Sequence, residues 1–286
     1  SVRRINAAAE TIGVPVSRIP NLIELGKTVT DRDSFSIKPI EMEDVLGRPQ
    51  RILDISPVET LVAGSKVLIT GAGGTIGSEL ARQVASLQPK EIIILDNSEF
   101  LIYQIELALT ELYPQIARRV ILGDVRDKIK LQNLMILASP DIVIHSAALK
   151  HVPLVEDNPI EGIHTNILGT WNVAEAALQN DVKTMVLIST DKAVDPTNIM
   201  GATKRAAESI CQSLDADNKK KTRFVIVRFG NVLGSTGSVI PLFERQIAAG
   251  GPLTVTHPEM TRYFMTVKEA VSLVLQAAAL SRSENV

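Results

Sequence analysis

The chain has 286 residues, of which 45% are hydrophobic, so it can bury a substantial core. Its 30 Lys and Arg residues against 32 Asp and Glu leave a formal net charge of −2, which excludes the basic field of a protein drawn to nucleic acid or anionic lipid. No apolar run is long enough to span a membrane, and one cysteine, Cys211, cannot form an internal disulfide. We expect a soluble cytoplasmic protein with a buried thiol.

Residues 1–60 differ from the rest of the chain. Only short helical patterns occur there, such as Asn6–Thr11 and Ile40–Leu46. The segment is interrupted by prolines, namely Pro15, Pro20, Pro39, Pro49 and Pro57. Because proline interrupts helices and strands, we predict a flanking arm, or the remainder of a preceding domain.

From Lys66 onward, short apolar runs alternate with longer amphipathic segments. The predicted strands are Lys66–Thr70, Glu91–Leu95, Arg119–Leu122, Asp141–His145, Thr184–Ser189 and Arg223–Arg228. The predicted helices are Gly77–Leu87, Phe100–Leu112, Asp127–Leu137, Ile160–Gln179, Met200–Leu214 and Val267–Leu280. This alternation predicts an α/β fold with a doubly wound parallel sheet of the Rossmann type.

The first strand runs into a glycine-rich turn, Thr70–Gly77, and then into a helix. Gly71 permits the tight turn, Gly74 permits close approach of a phosphate, and Gly77 permits the helix to pack on the strand. A helix start in this context suits a pyrophosphate, although an ordinary βα turn is the alternative. The candidate cofactor residues here are Gly71, Gly74, Thr75, Ile76 and Gly77.

Further cofactor candidates follow the next three strands. Asp96 ends the second strand, where a carboxylate can accept hydrogen bonds from the adenosine ribose, which favours NAD over NADP. The alternative is that Asp96 caps the following helix. Asp124 and Val125 are placed near the adenine, and the small residues Ala147 and Ala148 either admit the dinucleotide or simply pack.

Five motifs can be compared with known families, namely Thr70–Gly77, His145–Pro153, Ser189–Ala193, Arg228–Val232 and Met260–Tyr263. Together they resemble the motifs of extended short-chain dehydrogenases, and within that superfamily those of the 4,6-dehydratases of UDP-N-acetylglucosamine. The resemblance extends from about Lys66 to Thr266. It implies an NAD-binding domain over residues 61–229 and a small, truncated substrate-binding part over residues 230–286.

Most short-chain dehydrogenases carry Tyr-x-x-x-Lys on one helix face, where the Tyr transfers a proton and the Lys holds the nicotinamide ribose. Here Lys204 is present, but Met200 stands at the Tyr position and cannot carry a proton. The Met variant resembles the large, membrane-anchored branch of the family. That resemblance implies transmembrane helices upstream of Ser1. For Lys204 taken alone, the alternative to binding the nicotinamide ribose is an exposed lysine on a helix.

The resemblance assigns the chemistry to Thr190, Asp191 and Lys192. Lys192 is expected to remove the proton from carbon 5, Asp191 to protonate the departing hydroxyl, and Thr190 to bind the carbon-4 hydroxyl. Both charged groups then need shifted pKa values, because an ordinary Asp is ionised and an ordinary Lys is protonated at pH 7. A solvated ion pair is the alternative for Asp191 and Lys192.

Substrate contacts are expected from seven residues, which are Lys150, His151, Asn166, Asn231, Ser238, Val239 and Arg262. Asn231, Ser238 and Val239 follow from the resemblance, and the guanidinium of Arg262 can bind a diphosphate. Lys150 and His151 are equally compatible with an ordinary loop. Asn166 is expected to support the site from a neighbouring helix, or to be a plain helical Asn.

The sequence thus predicts an NAD-dependent UDP-N-acetylglucosamine 4,6-dehydratase for surface polysaccharide or glycan synthesis, acting as a homo-oligomer on a UDP-sugar. The alternatives are a nucleotide-sugar 4-epimerase and a non-catalytic module that binds NAD or a nucleotide sugar. The four histidines are scattered, and no residue spacing typical of a metal site occurs, so no metal is expected. Membrane contact is expected only through segments outside this chain.

Overall fold

The structure is a computed structural model that describes residues 54–216, 222–235, 239–255, 257, 259 and 261–280, with two short strands in the amino-terminal part. The chain separates into two compact units, Ser1–Arg51 and Ile52–Val286. In the first unit, β1 (Ser17–Arg18) and β2 (Lys38–Pro39) pair in antiparallel fashion. The helical patterns predicted at Asn6–Thr11 and Ile40–Leu46 lie outside the described residues.

The second unit is built on a parallel sheet of six strands. Their bounds are β3 (Lys66–Thr70), β4 (Glu91–Asp96), β5 (Arg118–Leu122), β6 (Ile142–His145), β7 (Thr184–Thr190) and β8 (Arg223–Phe229). The strand order is β5-β4-β3-β6-β7-β8, so the chain starts at the centre and winds outward twice. All six predicted strands are confirmed to within one residue at each end.

Helices cover both faces of the sheet, as the unbroken apolar strands require. One face packs against α1 (Ser56–Val62), α2 (Thr75–Ser86), α3 (Glu99–Leu112) and α10 (Val267–Leu280). The other face packs against α4 (Lys128–Ala138), α7 (Gly169–Gln179) and α8 (Ile199–Ala216). Cys211 of α8 is fully buried, as predicted, and burial raises the pKa of its thiol to about 12. The doubly wound α/β fold is therefore confirmed.

Two helical segments differ from the prediction. Pro57 was interpreted as an interruption, yet it lies in the first turn of α1, where a missing N–H costs nothing. The helix predicted over Ile160–Gln179 is divided into α6 (Pro159–Gly162), a π-helix over Ile163–Leu168, and α7. The backbone hydrogen bonds of a π-helix span five residues instead of four, and this difference does not change the pattern of apolar residues over a single turn.

Three further elements adjoin the carboxyl edge of the sheet. A short helix, α5 (Val152–Asp157), follows β6, and β9 (Asn231–Val232) pairs in parallel with β10 (Phe264–Met265). Between the last two strands lies α9 (Val239–Ala248). Among the helices described, none is long and apolar enough to cross a bilayer.

Candidate active site

The glycine turn leaves no room for side chains at Gly71, Gly73 and Gly77, and a Cβ on Gly73 would lie 2.4 Å from Leu101 Cβ. Gly71 has a φ of +66°, and a Cβ there would lie 2.6 Å from the backbone N of Ala147. At Gly77, a Cβ would lie 2.0 Å from the carbonyl O of Gly71. By contrast, a Cβ on Gly74, the N-cap of α2, would meet only the Gly71 oxygen, at 3.4 Å. The turn therefore packs closely against neighbouring backbone, while space remains at the start of α2, where a phosphate would bind.

Asp96 holds this turn from the neighbouring strand. Its Oδ2 accepts a hydrogen bond of 2.9 Å from the backbone N–H of Gly73, and its Oδ1 accepts one of 2.9 Å from Ser98. The side chain that caps α3 is that of Ser98, which accepts from the N–H of Leu101. Asp96 is thus not the cap, and its carboxylate lies 7% exposed beside the turn.

Asp124 and Val125, in the loop after β5, have different environments. The Asp124 carboxylate lies 2.7 Å from the Arg126 guanidinium, and although burial opposes it, the hydrogen bonds from Arg126 and Asn97 hold the Asp124 pKa below its usual range. Val125 is buried, and a Cβ on Gly169 would lie 2.7 Å from its Cγ2. The Asp127 side chain caps α4.

Lys204 is buried rather than exposed, so the alternative of a surface lysine is wrong. It is 5% exposed, and its Nζ donates a hydrogen bond of 2.6 Å to the carbonyl O of Ile188. Burial lowers its pKa to about 8. Met200, one turn earlier on α8, is also buried. Helix α8 therefore places a buried lysine at this edge, with a methionine at the position where most short-chain dehydrogenases carry Tyr.

Thr190, Asp191 and Lys192 form a contact network where β7 ends. The Thr190 hydroxyl donates to Asp191 Oδ1 at 2.9 Å, and Lys192 Nζ lies 3.0 Å from the same oxygen. Lys192 Nζ also reaches Asn231 Oδ1 at 3.5 Å. These side chains are partly exposed, 48% for Asp191 and 33% for Lys192. Asn231 is thereby brought to the predicted catalytic pair.

The pKa of Asp191 moves in the opposite direction from the one expected. Burial acts to raise it, but the hydrogen bonds from Lys192 and Thr190 and the Lys192 charge together hold it below its ordinary value. Asp191 is therefore ionised at pH 7 in this state and cannot begin a reaction as an acid. The expectation failed because it ignored the ion pair that the two neighbours form.

Asn166 lies in the π-helix with no exposed surface. Its Oδ1 accepts from the N–H of Leu149 at 2.8 Å, while its Nδ2 donates to the Leu149 carbonyl at 3.0 Å and to Thr203 Oγ1 at 2.9 Å. Its amide is directed entirely at the protein. The geometry fits the supporting role and not direct contact with a ligand.

Sequence reasoning missed Glu208, which is completely buried one turn after Lys204. It accepts a hydrogen bond of 2.5 Å from the Ser189 hydroxyl and one of 2.7 Å from Arg228 Nε, and Arg205 approaches it at 3.2 Å. Burial works to raise its pKa, but these partners hold it below the usual range. The only sequence signal was the four-residue spacing from Lys204. Glu208 joins the ends of β7 and β8.

A cavity of about 590 Å³ adjoins Glu208 and Ala193. Its walls include Val194, Pro196, Arg205 and Arg228, but not Thr190, Asp191 or Lys192. We therefore do not identify it with the candidate site. In the described ranges, no group of three His, Cys, Asp or Glu side chains could hold a metal ion.

The remaining predicted contacts lie on the surface or outside the described residues. Arg262 is exposed and donates to the carbonyl O of Thr261 at 2.9 Å. Lys150 and His151 are exposed in the loop after β6, and partial burial lowers the pKa of Lys150. Ser238 is not among the described residues, and Val239 begins α9 with no described side chain. The structure does not bring Arg262 onto the catalytic pair.

Residues 67–286 match a family of proteins described as polysaccharide biosynthesis proteins. The chain is 49% identical, over its whole length, to the capsular polysaccharide biosynthesis protein CapD of Staphylococcus aureus and covers 47% of it. It is 39% identical over 74% of its length to a UDP-N-acetylglucosamine 4,6-dehydratase (inverting) of Campylobacter jejuni, covering 63% of that protein. A UDP-glucose 4-epimerase of Rickettsia canadensis is 40% identical over 74% of the chain and is covered over 62% of its length.

Solved structures support the same relationship. Pen of Bacillus thuringiensis superposes with a TM-score of 0.69 at 40% identity, over 75% of this chain and 65% of that one. WbmG of Bordetella bronchiseptica, in complex with NAD and UDP, has a TM-score of 0.61 at 25% identity, over 74% of this chain and 68% of that one. The chain spans about half the length of the staphylococcal relative and less than two thirds of the other two curated relatives.

Proposed function

The chain belongs to the family of polysaccharide biosynthesis proteins within the extended short-chain dehydrogenases, and from that premise we propose that it is an NAD-dependent 4,6-dehydratase of UDP-N-acetylglucosamine. The observation that carries the proposal is the contact network of Thr190, Asp191 and Lys192 at the carboxyl edge of the sheet. An elimination needs an acid and a base side by side, and a simple dehydrogenase does not.

We assign the cofactor to the edge formed by the glycine turn, Asp96 and Lys204. The open start of α2 suits the pyrophosphate, Asp96 suits an unphosphorylated ribose, and Lys204 suits the nicotinamide ribose. When bound there, NAD supplies the hydride acceptor for carbon 4 of the sugar and the hydride donor for carbon 6. The choice of NAD over NADP depends on Asp96, whose negative charge would repel a 2′-phosphate.

The ionised state of Asp191 suggests how the chain manages without a catalytic Tyr. As carbon 4 is oxidised, its hydroxyl proton passes through the Thr190 hydroxyl to Asp191, along the 2.9 Å hydrogen bond between the two side chains. Asp191 thereby becomes the carboxylic acid that the next step needs. Asp191 is therefore protonated by the substrate's hydroxyl proton, and a raised pKa is not needed.

Lys192 then acts as the base. Once Asp191 is neutral, Lys192 has lost its counter-charge, so its ammonium releases one proton to solvent and becomes a free amine; it takes up a proton from solvent again when Asp191 is ionised at the end of the cycle. The amine takes the proton from carbon 5, and Asp191 returns its proton to the hydroxyl leaving carbon 6, so that one water departs. Lys192 finally gives the proton back to carbon 5, which leaves a 4-keto-6-deoxy sugar.

A 4-epimerase is the second candidate, since a relative at 40% identity carries that name. Epimerisation needs hydride transfer at carbon 4 but no acid and base for elimination. A non-catalytic module that binds NAD or a nucleotide sugar is the third candidate, because Met200 stands at the position of the usual catalytic Tyr. Assembly into homo-oligomers, a cytoplasmic location and membrane attachment through other segments stay predictions.

The deciding experiment is mass spectrometry of UDP-N-acetylglucosamine incubated with the chain and NAD. A dehydratase yields a product lighter by one water, whereas an epimerase yields an isomer of unchanged mass. Lys192→Met should abolish the loss of water. The matched control is Lys183→Met, because Lys183 lies at the opposite end of β7 and pairs with Asp141 at 2.7 Å. Retention of full dehydration by Lys192→Met would refute the assigned base.

A further inference from the structure

A series of buried polar side chains is connected by hydrogen bonds from the end of β3 to α7. It begins at Thr70, the last residue of β3, whose hydroxyl lies 2.7 Å from His145 Nδ1. On the other side of the ring, His145 Nε2 lies 3.0 Å from Thr170 Oγ1. All three residues have no exposed surface. Such groups must satisfy one another, since water does not reach them.

The direction of each hydrogen bond follows from counting protons. The Thr170 hydroxyl has one proton, and it donates this to the carbonyl O of Asn166 at 2.7 Å. Its oxygen must therefore accept from His145, so Nε2 carries the ring proton. A neutral ring then has a bare Nδ1, which accepts the proton of the Thr70 hydroxyl.

The same path continues beyond Thr170. The Asn166 amide clamps both the N–H and the carbonyl of Leu149, and it donates to Thr203. The Thr203 hydroxyl passes its own proton to the carbonyl O of Met200 at 2.7 Å. The path thus starts beside Gly71 of the glycine turn, holds the loop after β6, and ends beside Lys204.

We infer that two directed runs of hydrogen bonds, Thr70–His145–Thr170 and Asn166–Thr203, are joined through the backbone carbonyl of Asn166 and together hold the glycine turn, the Leu149 loop and α8 in fixed relative positions. His145 and Thr170 are positioning residues and do not touch the reacting atoms. The inference deepens the proposed function and rests on it, because the glycine turn and α8, which carries Lys204, are two of the segments assigned to the cofactor. The path itself exists whether or not the enzyme dehydrates a sugar.

A single proton arrangement satisfies every member, which makes the chain sensitive to loss of one link. If Thr170 loses its hydroxyl, both the Nε2–H of His145 and the Asn166 carbonyl lose a buried partner. The ring can then turn or change tautomer, and the Thr70 hydroxyl loses its acceptor. Disturbance at one link should therefore appear at both ends of the path.

The first test is nuclear magnetic resonance of the chain labelled with ¹⁵N-histidine, with the His145 signal assigned by its loss in His145→Gln. We expect the neutral form protonated at Nε2, in the absence of any cofactor or substrate. A ring protonated at Nδ1 would overturn the inference. This result does not depend on folding of a variant at Thr170 or on any enzymatic activity.

The second test is amide hydrogen exchange in Thr170→Val, which removes the hydroxyl and nearly keeps the shape. We expect exchange to accelerate by about 10-fold at Leu149 and in residues 71–77 together. The control is Thr110→Val, because the Thr110 hydroxyl makes the same bond to the carbonyl four residues earlier, at 2.8 Å, on an exposed helix face. Equal exchange in the two variants would overturn the coupling, even if the dehydratase assignment holds.

Discussion

The region around the glycine turn and the region around Asp191 lie at the same edge of the sheet but are built differently. Near the turn, Asp96 and Lys204 are almost completely buried, and each has a backbone partner. Near Asp191, the charged side chains are partly exposed, and Tyr263 is 92% exposed. The first region is fixed by the fold, whereas the second is held by bonds between its own side chains.

This difference indicates where each region obtains its geometry. Buried hydrogen bonds are hard to break because the separated groups gain no water. A partly exposed ion pair contributes at most about 1 kcal/mol, so the Asp191–Lys192 contact can rearrange at little cost. We therefore expect the turn region to determine cofactor binding and stability, and the Asp191 region to determine turnover.

The largest effect is expected on turnover from Asp191→Asn, which removes the proton acceptor and keeps the shape. Dehydration should fall by about 10²- to 10⁴-fold. Affinity for NAD, measured by calorimetry, should stay unchanged because Asp191 lies in the other region. Asp157→Asn, on the exposed surface of α5, serves as the control. A loss of NAD affinity in Asp191→Asn would show that the two regions do not have separate roles.

A change in acid stability is expected from His145. Burial, together with the Lys204 charge, lowers its pKa to about 3, whereas in the unfolded chain it is about 6.5. The unfolded state therefore binds the additional proton between these values, and stability falls as the pH drops from about 6.5 toward 3, by about 5 kcal/mol at most.

Urea unfolding as a function of pH tests this behaviour. His145→Gln should flatten the acid limb of the curve, while the exposed His257→Gln should leave it unchanged. An equally steep acid limb in His145→Gln would show that other groups carry the effect.

An opposite change is expected at Lys204. Its pKa of about 8 lies below its ordinary value of 10.5, so the folded state carries a disfavoured charge at pH 7. Stability should rise as the pH rises from about 8 to 10.5. Lys204→Met removes the charge and should raise the unfolding free energy at pH 7 by about 2 kcal/mol, after loss of the bond to Ile188.

The same variant should bind NAD about 10-fold more weakly, so that stability and function move in opposite directions. The gain in unfolding free energy should disappear at pH 11, where Lys204 is neutral in both states. The control is Lys128→Met, at an exposed lysine paired with Glu175 at 2.7 Å. Unchanged stability in Lys204→Met would indicate that water reaches the amine.

The smallest effect is expected from Asp96→Asn, which keeps one acceptor oxygen and loses the charge. The preference for NAD over NADP should fall by about 5-fold. Ser98→Ala should lower stability by about 1 kcal/mol, as loss of a helix cap does, without changing that preference. Affinities for both dinucleotides measure the effect, and a changed preference in Ser98→Ala would contradict the separate roles.

The strands and most helices were predictable because their signal is local. Ile92–Leu95 is an unbroken apolar run between polar residues, and such runs become buried parallel strands. The glycine turn was predictable because only glycine fits where a Cβ would meet the Gly71 carbonyl. In both cases, neighbours in sequence decide the structure.

The missed features depend on partners that are distant in sequence. The burial of Glu208 on α8 depends on Ser189 and Arg228, which lie on β7 and β8. The ionised state of Asp191 depends on the distance to Lys192 Nζ, and adjacency in sequence does not give that distance. The π-helix was hidden because its apolar residues still satisfy a helical period over one turn.

The π-helix at Ile163–Leu168 has a further consequence, for chain length. A π-helical turn amounts to one residue inserted into an α-helix, so deleting one residue there would restore a regular helix with its flanking faces still aligned. The buried face of α7, which includes Val173 and Ala177, would keep its packing. The additional residue is thus dispensable for packing of the core, but it is needed to place Asn166 against Leu149. Deleting one residue from this segment, more than substituting one, would therefore disturb the site while the core stays packed.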